Sequence, residues 1–379
     1  MDYHVESKTT ANRNFGAFPL ASNPLEAFSD PFKINQNAVA KLIDNTINSS
    51  LSVNYLTGHY MLSSQTAYQS NYHYYGSPID ADFSPIDGVT IINNYGQKWN
   101  NVKIVTQEFK FSSLTSLSRV KFVSGVFLFY QETPNKQATH FGKDAALVGS
   151  PGSNYAIINT TTIKDHGVSL YAQSTYEISN NADIIAGLRY DYQRSDENIL
   201  GEYQPDASPT PIFQTQPDTS AAASYGAFSP KVSIAFHPIT NMNFYVSYSR
   251  GYRTGGLTQL SLDPSQPPLY AYKPEFSNNF EIGLKNTFFK NQLRANISFF
   301  YSSITNVQVP TLILPDTITV TKNAGRLSSK GMEAELEAIL LRNLEVNWNF
   351  GYTSARYTKF KLSQNGSVSD LSGKRQVFS

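Results

Sequence analysis

From Asn48 to Tyr357 the chain alternates apolar and polar residues with a period of two, which predicts β-strands that have one apolar and one polar face. The clearest pair of strands surrounds a short turn at 341–343. One face of this pair is apolar and carries Met332, Ala334, Leu336, Ala338, Leu344, Val346, Trp348, Phe350 and Tyr352. The opposite face carries Glu333, Glu335 and Glu337. If the apolar face contacts lipid, a register slip of one residue would turn all three glutamates toward hydrocarbon, so the register is strongly specified.

The pattern predicts twelve strands in six hairpins, and the connections between the strands alternate short and long. The strands begin near Asn48, Tyr60, Val102, Arg119, Gly167, Asp183, Phe228, Met242, Ser277, Gln292, Ser329 and Leu344. The short connections are 57–59, 113–118, 179–182, 238–241, 289–291 and 341–343. The long connections are 74–101, 133–165, 196–225, 251–276 and 305–328. Short periplasmic turns opposite long extracellular loops are typical of an antiparallel transmembrane β-barrel of the bacterial outer membrane.

Two alternatives stay open at this point. A soluble, secreted β-sandwich or propeller would also alternate, although its strands are shorter than the predicted ones. A passive, porin-like barrel of twelve strands would require residues 47 and 357 to lie side by side. Two proline-rich stretches, 206–218 and 263–268, are expected to be loops, because proline lacks the N–H group that a strand inside a sheet must donate.

Composition agrees with a membrane strand protein without proving it. Among the 379 residues, 16% are charged and 13% are aromatic, with 24 Tyr and 24 Phe. The formal net charge of +1 gives no reason to expect a nucleic-acid partner. The chain contains no cysteine, which excludes disulfides and thiolate metal sites, and its six histidines have no metal-binding spacing. No cofactor and no resident metal are predicted.

The long loops carry the candidate ligand contacts, since loops beside a pore are where a ligand is recognised. Tyr74 and Tyr75 lie in the first loop, and Arg253 and Tyr270 lie in the fourth. The simpler interpretation of the tyrosines is an aromatic girdle at the membrane surface. Asp80 and Asp82 would suit a calcium ion, but two carboxylates are a weak signal. A glycine-rich stretch at 251–256 is not followed by a helix, so we reject a phosphate loop, and we find no constellation of an enzyme.

Three stretches resemble the TonB-dependent outer-membrane receptors of the iron-complex or siderophore type. They are 228–257 (FSPKVSIAFHPITNMNFYVSYSRGYRTGGL), 272–309 (YKPEFSNNFEIGLKNTFFKNQLRANISFFYSSITNVQV) and 323–360 (NAGRLSSKGMEAELEAILLRNLEVNWNFGYTSARYTKF). The last is similar to the family's hairpin that opens with Asn-Ala-Gly. Weaker similarities lie at 30–38, 62–68, 106–113 and 187–196.

This resemblance implies a barrel that imports a scarce ligand, most often a ferric siderophore, with energy from the TonB system of the inner membrane. The implied partners are outer-membrane lipid, TonB and the small ligand. Barrels of this type have about 22 strands and a plugged interior. We expect the chain to be a mid-barrel fragment, without the plug and the last strands. We expect residues 1–46 to be an extracellular loop segment, 47–357 the partial barrel, and 358–379 the start of another extracellular loop.

Overall fold

The fold is described from a computed structural model, which covers residues 40–82, 86–96, 99–114, 119–258, 270–289, 292–313, 318–323, 325–364 and 367–375. Almost all of its regular structure is β-strand. The strands are β1 (Leu42–Leu56), β2 (Tyr60–Tyr75), β3 (Ile79–Asp80), β4 (Val89–Asn93), β5 (Asn101–Ser113), β6 (Val120–Phe141), β7 (Tyr155–Ser179), β8 (Ala182–Pro205), β9 (Phe213–Ile239), β10 (Met242–Arg253), β11 (Gly256–Thr258), β12 (Tyr270–Tyr272), β13 (Glu275–Phe288), β14 (Leu293–Thr305), β15 (Gln308–Ile313), β16 (Ile318–Asn323), β17 (Arg326–Leu341), β18 (Leu344–Lys359), β19 (Lys361–Gln364) and β20 (Ser367–Asp370). One short 3₁₀ helix covers Ala145–Val148.

Twelve long strands form one antiparallel meander in the order β1-β2-β5-β6-β7-β8-β9-β10-β13-β14-β17-β18. The twelve predicted strands are therefore confirmed, and so are the short turns at 57–59, 179–182, 238–241 and 341–343. Residues 115–118 and 290–291 of the other two predicted turns lie outside the described residues. β1 and β18 are the edges of this path. The sheet is a partial barrel wall, as the sequence pattern predicts. Among the described residues no helix has the length and hydropathy to cross a membrane.

The register places each predicted apolar set on a single face. Met332 pairs with Tyr352, and Leu336 pairs with Trp348, whereas Glu335 pairs with Asn349 on the other face. On the outer face the large apolar side chains are exposed, for example Leu170 (53%) and Leu188 (51%), because lipid replaces a protein core there. On the inner face Ser169 and Asp191 are buried. The predicted register is confirmed.

Four neighbouring strands are much longer than the others: β6 has 22 residues, β7 has 25, β8 has 24 and β9 has 27. At about 3.3 Å per residue, β9 is roughly 90 Å long, far more than a membrane requires. The prediction that 133–165 and 196–225 are loops is wrong, because most of these residues continue the strands. Along β8 the outer face is apolar up to Tyr192 and then carries Arg194 and Asp196. We therefore place the membrane-spanning part of β8 at 182–192, and the remainder above the membrane.

Prolines in β9 explain two features of the wall. Pro217 lies inside the strand, which corrects the prediction that 206–218 is wholly a loop. The strand tolerates it because the pairing with β8 is irregular there, passing from Ile199 opposite Thr219 to Gly201 opposite Gln216. Pro230 immediately precedes Lys231, which is the first residue of β9 along the chain that pairs with β10 and lies opposite Ser249. The second predicted proline loop, 263–268, lies outside the described residues.

Candidate functional site above the membrane on the inner face

Side chains that point inward from β7 and β8 form a hydrogen-bonded network near the top of the membrane-spanning part. The Ser169 hydroxyl donates to the Asp191 carboxylate at 2.5 Å. The Arg189 guanidinium donates to Asp191 through Nε at 2.8 Å and to the Ser169 oxygen through Nη2 at 2.7 Å. Asp191 is 6% exposed, and this arrangement neutralises its charge. The network gives the inner face of the wall a fixed polar surface.

Above this network a short two-stranded ribbon lies against the wall. We call β11 with β12 the inner ribbon. β11 contacts both β8 and β9, and Gly256 pairs with Tyr272 of β12. A side chain at Gly255 would collide with the ring of Tyr225 on β9, so glycine allows the ribbon's backbone to approach the wall closely. On the wall β9 contributes the small residue Ala227, which is 4% exposed.

Beneath the inner ribbon lies a buried acid. Glu197 of β8 is 3% exposed, and its Oε1 atom has no hydrogen-bond partner. Burial, together with the charge of Asp165 on the adjacent strand β7, raises the pKa of Glu197 to about 8. Burial also raises the pKa of Tyr272 in the ribbon, where Arg253 opposes the rise and Glu197 and Asp165 add to it. Glu197, Asp165 and Arg253 therefore all lie within electrostatic reach of Tyr272, and Asp165 lies within reach of Glu197.

Two amide side chains hold the base of the ribbon. Gln308 donates through its side-chain nitrogen to the carbonyl of Thr254 at 2.7 Å and to that of Lys273 at 3.2 Å. Asn323 accepts from the Lys273 backbone N–H at 2.6 Å and donates to the Lys273 carbonyl at 2.9 Å. Asn323 also donates to the Asn306 carbonyl at 2.8 Å. These bonds connect the β12–β13 junction to the ribbon formed by β15 and β16.

The structure places the four predicted contact residues in two separate regions. Arg253 ends β10 and pairs with Glu275, and Tyr270 begins β12, where it pairs with Thr258. Both therefore belong to the inner ribbon or its base. Tyr74 and Tyr75 end β2, which lies six positions from β10 along the meander. The structure does not bring the two pairs together through any hydrogen bond of the described residues, and their role in ligand binding stays a prediction.

The first loop is a packed structure with its own polar contacts. The rings of Tyr72 and Tyr74 lie 4.5 Å apart, and the Asn94 side chain donates to the Tyr72 hydroxyl at 2.7 Å. Asp82 is 8% exposed and accepts hydrogen bonds from the backbone N–H groups of Gly88 and Val89. Asp82 thus fixes the loop's backbone. Within the described part of the chain no group of three or more histidine or acidic side chains is arranged to hold a metal ion.

At the outer tips of the four long strands, four aromatic rings are stacked across the sheet. The ring centroids of Phe141 and Tyr155 are 4.7 Å apart, those of Tyr155 and Tyr203 are 5.1 Å apart, and those of Tyr203 and Phe213 are 4.7 Å apart. Cross-strand aromatic pairs of this kind stabilise a sheet that receives no support from lipid. The stack holds the upper part of the wall together.

Three residues of this region are not predicted from the sequence: Glu197, Gln308 and Asn323. Glu197 lies in a stretch that the pattern assigned to a loop, so no inward direction could be given to it. Asn323 is the first residue of the Asn-Ala-Gly sequence, and its backbone contacts now give that sequence a physical role. Gly325 ends it with a φ of 71°, and a Cβ there would overlap the Lys359 carbonyl oxygen.

An antiparallel wall with a lipid-facing apolar surface, a polar inner face and extracellular extensions defines an outer-membrane β-barrel protein. The family described as "TonB dependent receptor-like, beta-barrel" matches residues 3–377. The chain belongs to this family, whose members are outer-membrane receptors and not enzymes. This confirms the family that the sequence resembles and the class of fold predicted from it.

Solved structures with a similar fold include three iron-uptake receptors. The ferric yersiniabactin uptake receptor FyuA from Yersinia pestis has a TM-score of 0.65 and 14% identity, over 87% of this chain and 49% of that chain. The siderophore receptor PiuA from Acinetobacter baumannii has a TM-score of 0.61 and 16% identity, over 87% and 50%. The ferric-catecholate import receptor Fiu from E. coli K12 has a TM-score of 0.57 and 14% identity, over 91% and 52%. The chain thus spans about half the length of these receptors, and at these identities the likeness shows the fold alone.

Proposed function

We propose that this chain is the wall and part of the extracellular face of an outer-membrane receptor that imports a scarce small ligand, with a ferric siderophore as the best candidate. The observation that carries the proposal is the family match along 3–377, on a wall whose inner face is polar and whose outer face is apolar. The uptake receptors with a similar fold support the siderophore as the first ligand to test. The proposed location is the bacterial outer membrane.

Import against a gradient needs energy, and we propose that the TonB system supplies it to the complete receptor. A twelve-stranded passive pore is the competing interpretation. It would require β1 to pair with β18, and the described residues of these two strands form no such ladder. The exposed apolar side chains of the outer face argue against a soluble secreted protein, since such a surface would aggregate in water.

The ligand contacts that we propose lie at the inner ribbon. Arg253 is exposed at the end of β10, beside Tyr272 and close to the predicted residue Tyr270. A guanidinium and phenol groups suit an anionic, oxygen-rich iron chelate, which accepts charge-assisted hydrogen bonds. Tyr74 and Tyr75 are proposed as a second, outer contact region.

Uptake of radiolabelled iron tests the proposal. The complete receptor that contains this chain is expressed in a bacterial strain without receptors of its own, and ferric catecholate, hydroxamate and mixed chelates are supplied one at a time. We expect uptake of at least one chelate, loss of that uptake in a strain without TonB, and weaker uptake in the Arg253→Ala variant. Arg194→Ala, on the outer polar face, is the matched control.

Two results would contradict the proposal. Uptake that persists without TonB would favour the passive pore. If no iron chelate is taken up, while haem or cobalamin is, the receptor class stands and the siderophore does not.

A further inference from the structure

Glu197 has no counterion in the described structure. None of the ion pairs among the described residues includes Glu197 or Asp165. The side chain is 3% exposed, and the buried Oε1 atom accepts no hydrogen bond. An ionised carboxylate in this position is unfavourable in free energy, because it is no longer hydrated and because a second acid, Asp165, lies beside it. A neutral carboxyl group avoids both penalties.

What covers Glu197 on the inner side is the inner ribbon. β11 contacts the same two wall strands, β8 and β9, and Tyr272 of β12 is close enough to Glu197 and Asp165 for their charges to act on its phenol. Gly255 permits this close approach, since a Cβ there would meet the ring of Tyr225 on β9. A Cβ at Gly256 would meet the ring of Tyr272, so glycine there allows the two strands of the ribbon to pair. The ribbon therefore removes water from the acid only while it is docked.

We propose that a proton on the Glu197 carboxyl holds the inner ribbon against β8 and β9, so that the ribbon is docked at acidic pH and leaves the wall as the pH rises. This pH-dependent docking would regulate access to the inner face, and it does not depend on which ligand the receptor binds.

The groups that face Glu197 come from every element packed around it. Asp165 on β7 acts on Glu197 directly, and Glu197 acts on Tyr272 of β12. Arg253 at the end of β10 and Tyr225 on β9 are the neighbours of Tyr272. The charges of Lys164, Arg194 and Asp196 are on the outer side of the sheet. Arg253 is the single cation of the inner set, and it is exposed and acts on Tyr272. Asp165 is thus the neighbour that determines whether Glu197 keeps its proton.

The direction of the pH dependence follows from linkage. In the docked state the pKa of Glu197 is raised from 4.5 to about 8, whereas in an undocked, hydrated state it returns to its ordinary value. Docking is then fully stable below the ordinary pKa and weakens as the pH rises toward the docked pKa, by up to about tenfold per pH unit. Above the docked pKa the dependence levels off, because Glu197 is ionised in both states.

Cysteine labelling measures this equilibrium in the complete receptor, in membrane vesicles and without any ligand. Ser195 lies two residues before Glu197 on the inner face, is 8% exposed, and is replaced by cysteine; these 379 residues contain no other cysteine, and any cysteine elsewhere in the complete receptor is replaced by serine. Thr210→Cys, at an exposed position, corrects for the pH dependence of the thiol reaction. We expect the ratio of the two labelling rates to rise roughly 100-fold or more from pH 5 to pH 8.

Two variants test whether ionisation of Glu197 controls the docking of the inner ribbon. Glu197→Gln keeps the shape of a protonated glutamate and cannot ionise, so its labelling ratio should be low and independent of pH. Asp165→Asn removes the neighbouring charge, so its ratio should stop rising at a lower pH. Heat-modifiable migration on gels shows that each variant is folded. A ratio that does not change with pH in the parent protein, or an equal rise in the Glu197→Gln variant, overturns the proposal. Because no ligand is added, these results are independent of the uptake experiment.

Discussion

Replacing Leu170 by arginine tests the orientation of the whole wall. Leu170 lies on the outer face of β7 and is 53% exposed. It pairs with Val126 of β6 on one side and with Tyr190 of β8 on the other, in one apolar row. It is the second outward position below the upper end of the apolar band of β7, which runs from Ile178 to Val168. An arginine destabilises a barrel by about 2–4 kcal/mol at the membrane midplane and by about 0–1 kcal/mol near the interface, so we expect about 1–2 kcal/mol at this position. That range corresponds to a loss of roughly 5- to 30-fold in the ratio of folded to unfolded protein.

The matched control is Gln173→Arg, three residues away on the same strand. Gln173 faces inward and pairs with Gly187, where an arginine can reach water. We expect this variant to change the free energy of unfolding by less than about 0.5 kcal/mol. The assay is urea unfolding of the complete receptor in lipid vesicles, followed by heat-modifiable migration. If Gln173→Arg destabilises as much as Leu170→Arg, or more, the two faces have been assigned the wrong way round.

Two further predictions concern the first and last residues of the Asn-Ala-Gly sequence, Asn323 and Gly325. Gly325→Ala should lower the free energy of unfolding by more than about 2 kcal/mol in the same assay, since the backbone has a positive φ and the added Cβ would overlap Lys359. The control is Gly373→Ala, which has a φ of 80° and open space around the added Cβ. It should lower the free energy of unfolding by only about 1–2 kcal/mol. An equal loss in both variants would refute the steric argument. Asn323→Ala should remove three hydrogen bonds and speed hydrogen exchange at the Lys273 amide by roughly 10-fold. Asn347→Ala, whose side chain donates a hydrogen bond to Glu345, should leave that amide unchanged.

The membrane-spanning part of the fold was predictable because lipid imposes a simple rule on it. Every outward position from Leu344 to Tyr352 must be apolar, and water wets the inward ones, so the sequence carries a period of two that is easy to recognise. The short turns follow from the same rule, since they end each apolar run. The register of β17 and β18 could therefore be predicted residue by residue.

The upper parts of β6 to β9 could not be predicted, because outward side chains need to be apolar only where they contact lipid. Above Tyr192 both faces of the sheet carry polar residues, as Arg194, Asp196 and Glu197 show. The pattern there is the same as that of a solvated loop. What holds these residues in strands is pairing with equally long neighbours and the four-ring aromatic stack, and both depend on contacts between residues distant in sequence.

For the same reason, only some residues of the candidate site could be predicted from the sequence. Arg253 and Tyr270 could be proposed because they stand in a long connection between two clear strands. Glu197 could not, since its importance comes from the ribbon folded over it and not from its neighbours in the sequence. Proline was a misleading signal at Pro217, where an irregular register removes the need for its missing N–H group.

The end of the ladder at Pro230 has a mechanical consequence. Below it, β9 and β10 are joined by a series of backbone hydrogen bonds, which must break together if the strands are sheared apart. Above it, the described residues of these strands share no ladder, and the connection runs through side chains and the inner ribbon. The wall therefore has a seam between β9 and β10 that begins opposite Gly187, within the membrane-spanning part of β8. A force on the extracellular segments would separate the two strands above this level first, while the paired residues 231–239 of β9 hold below it.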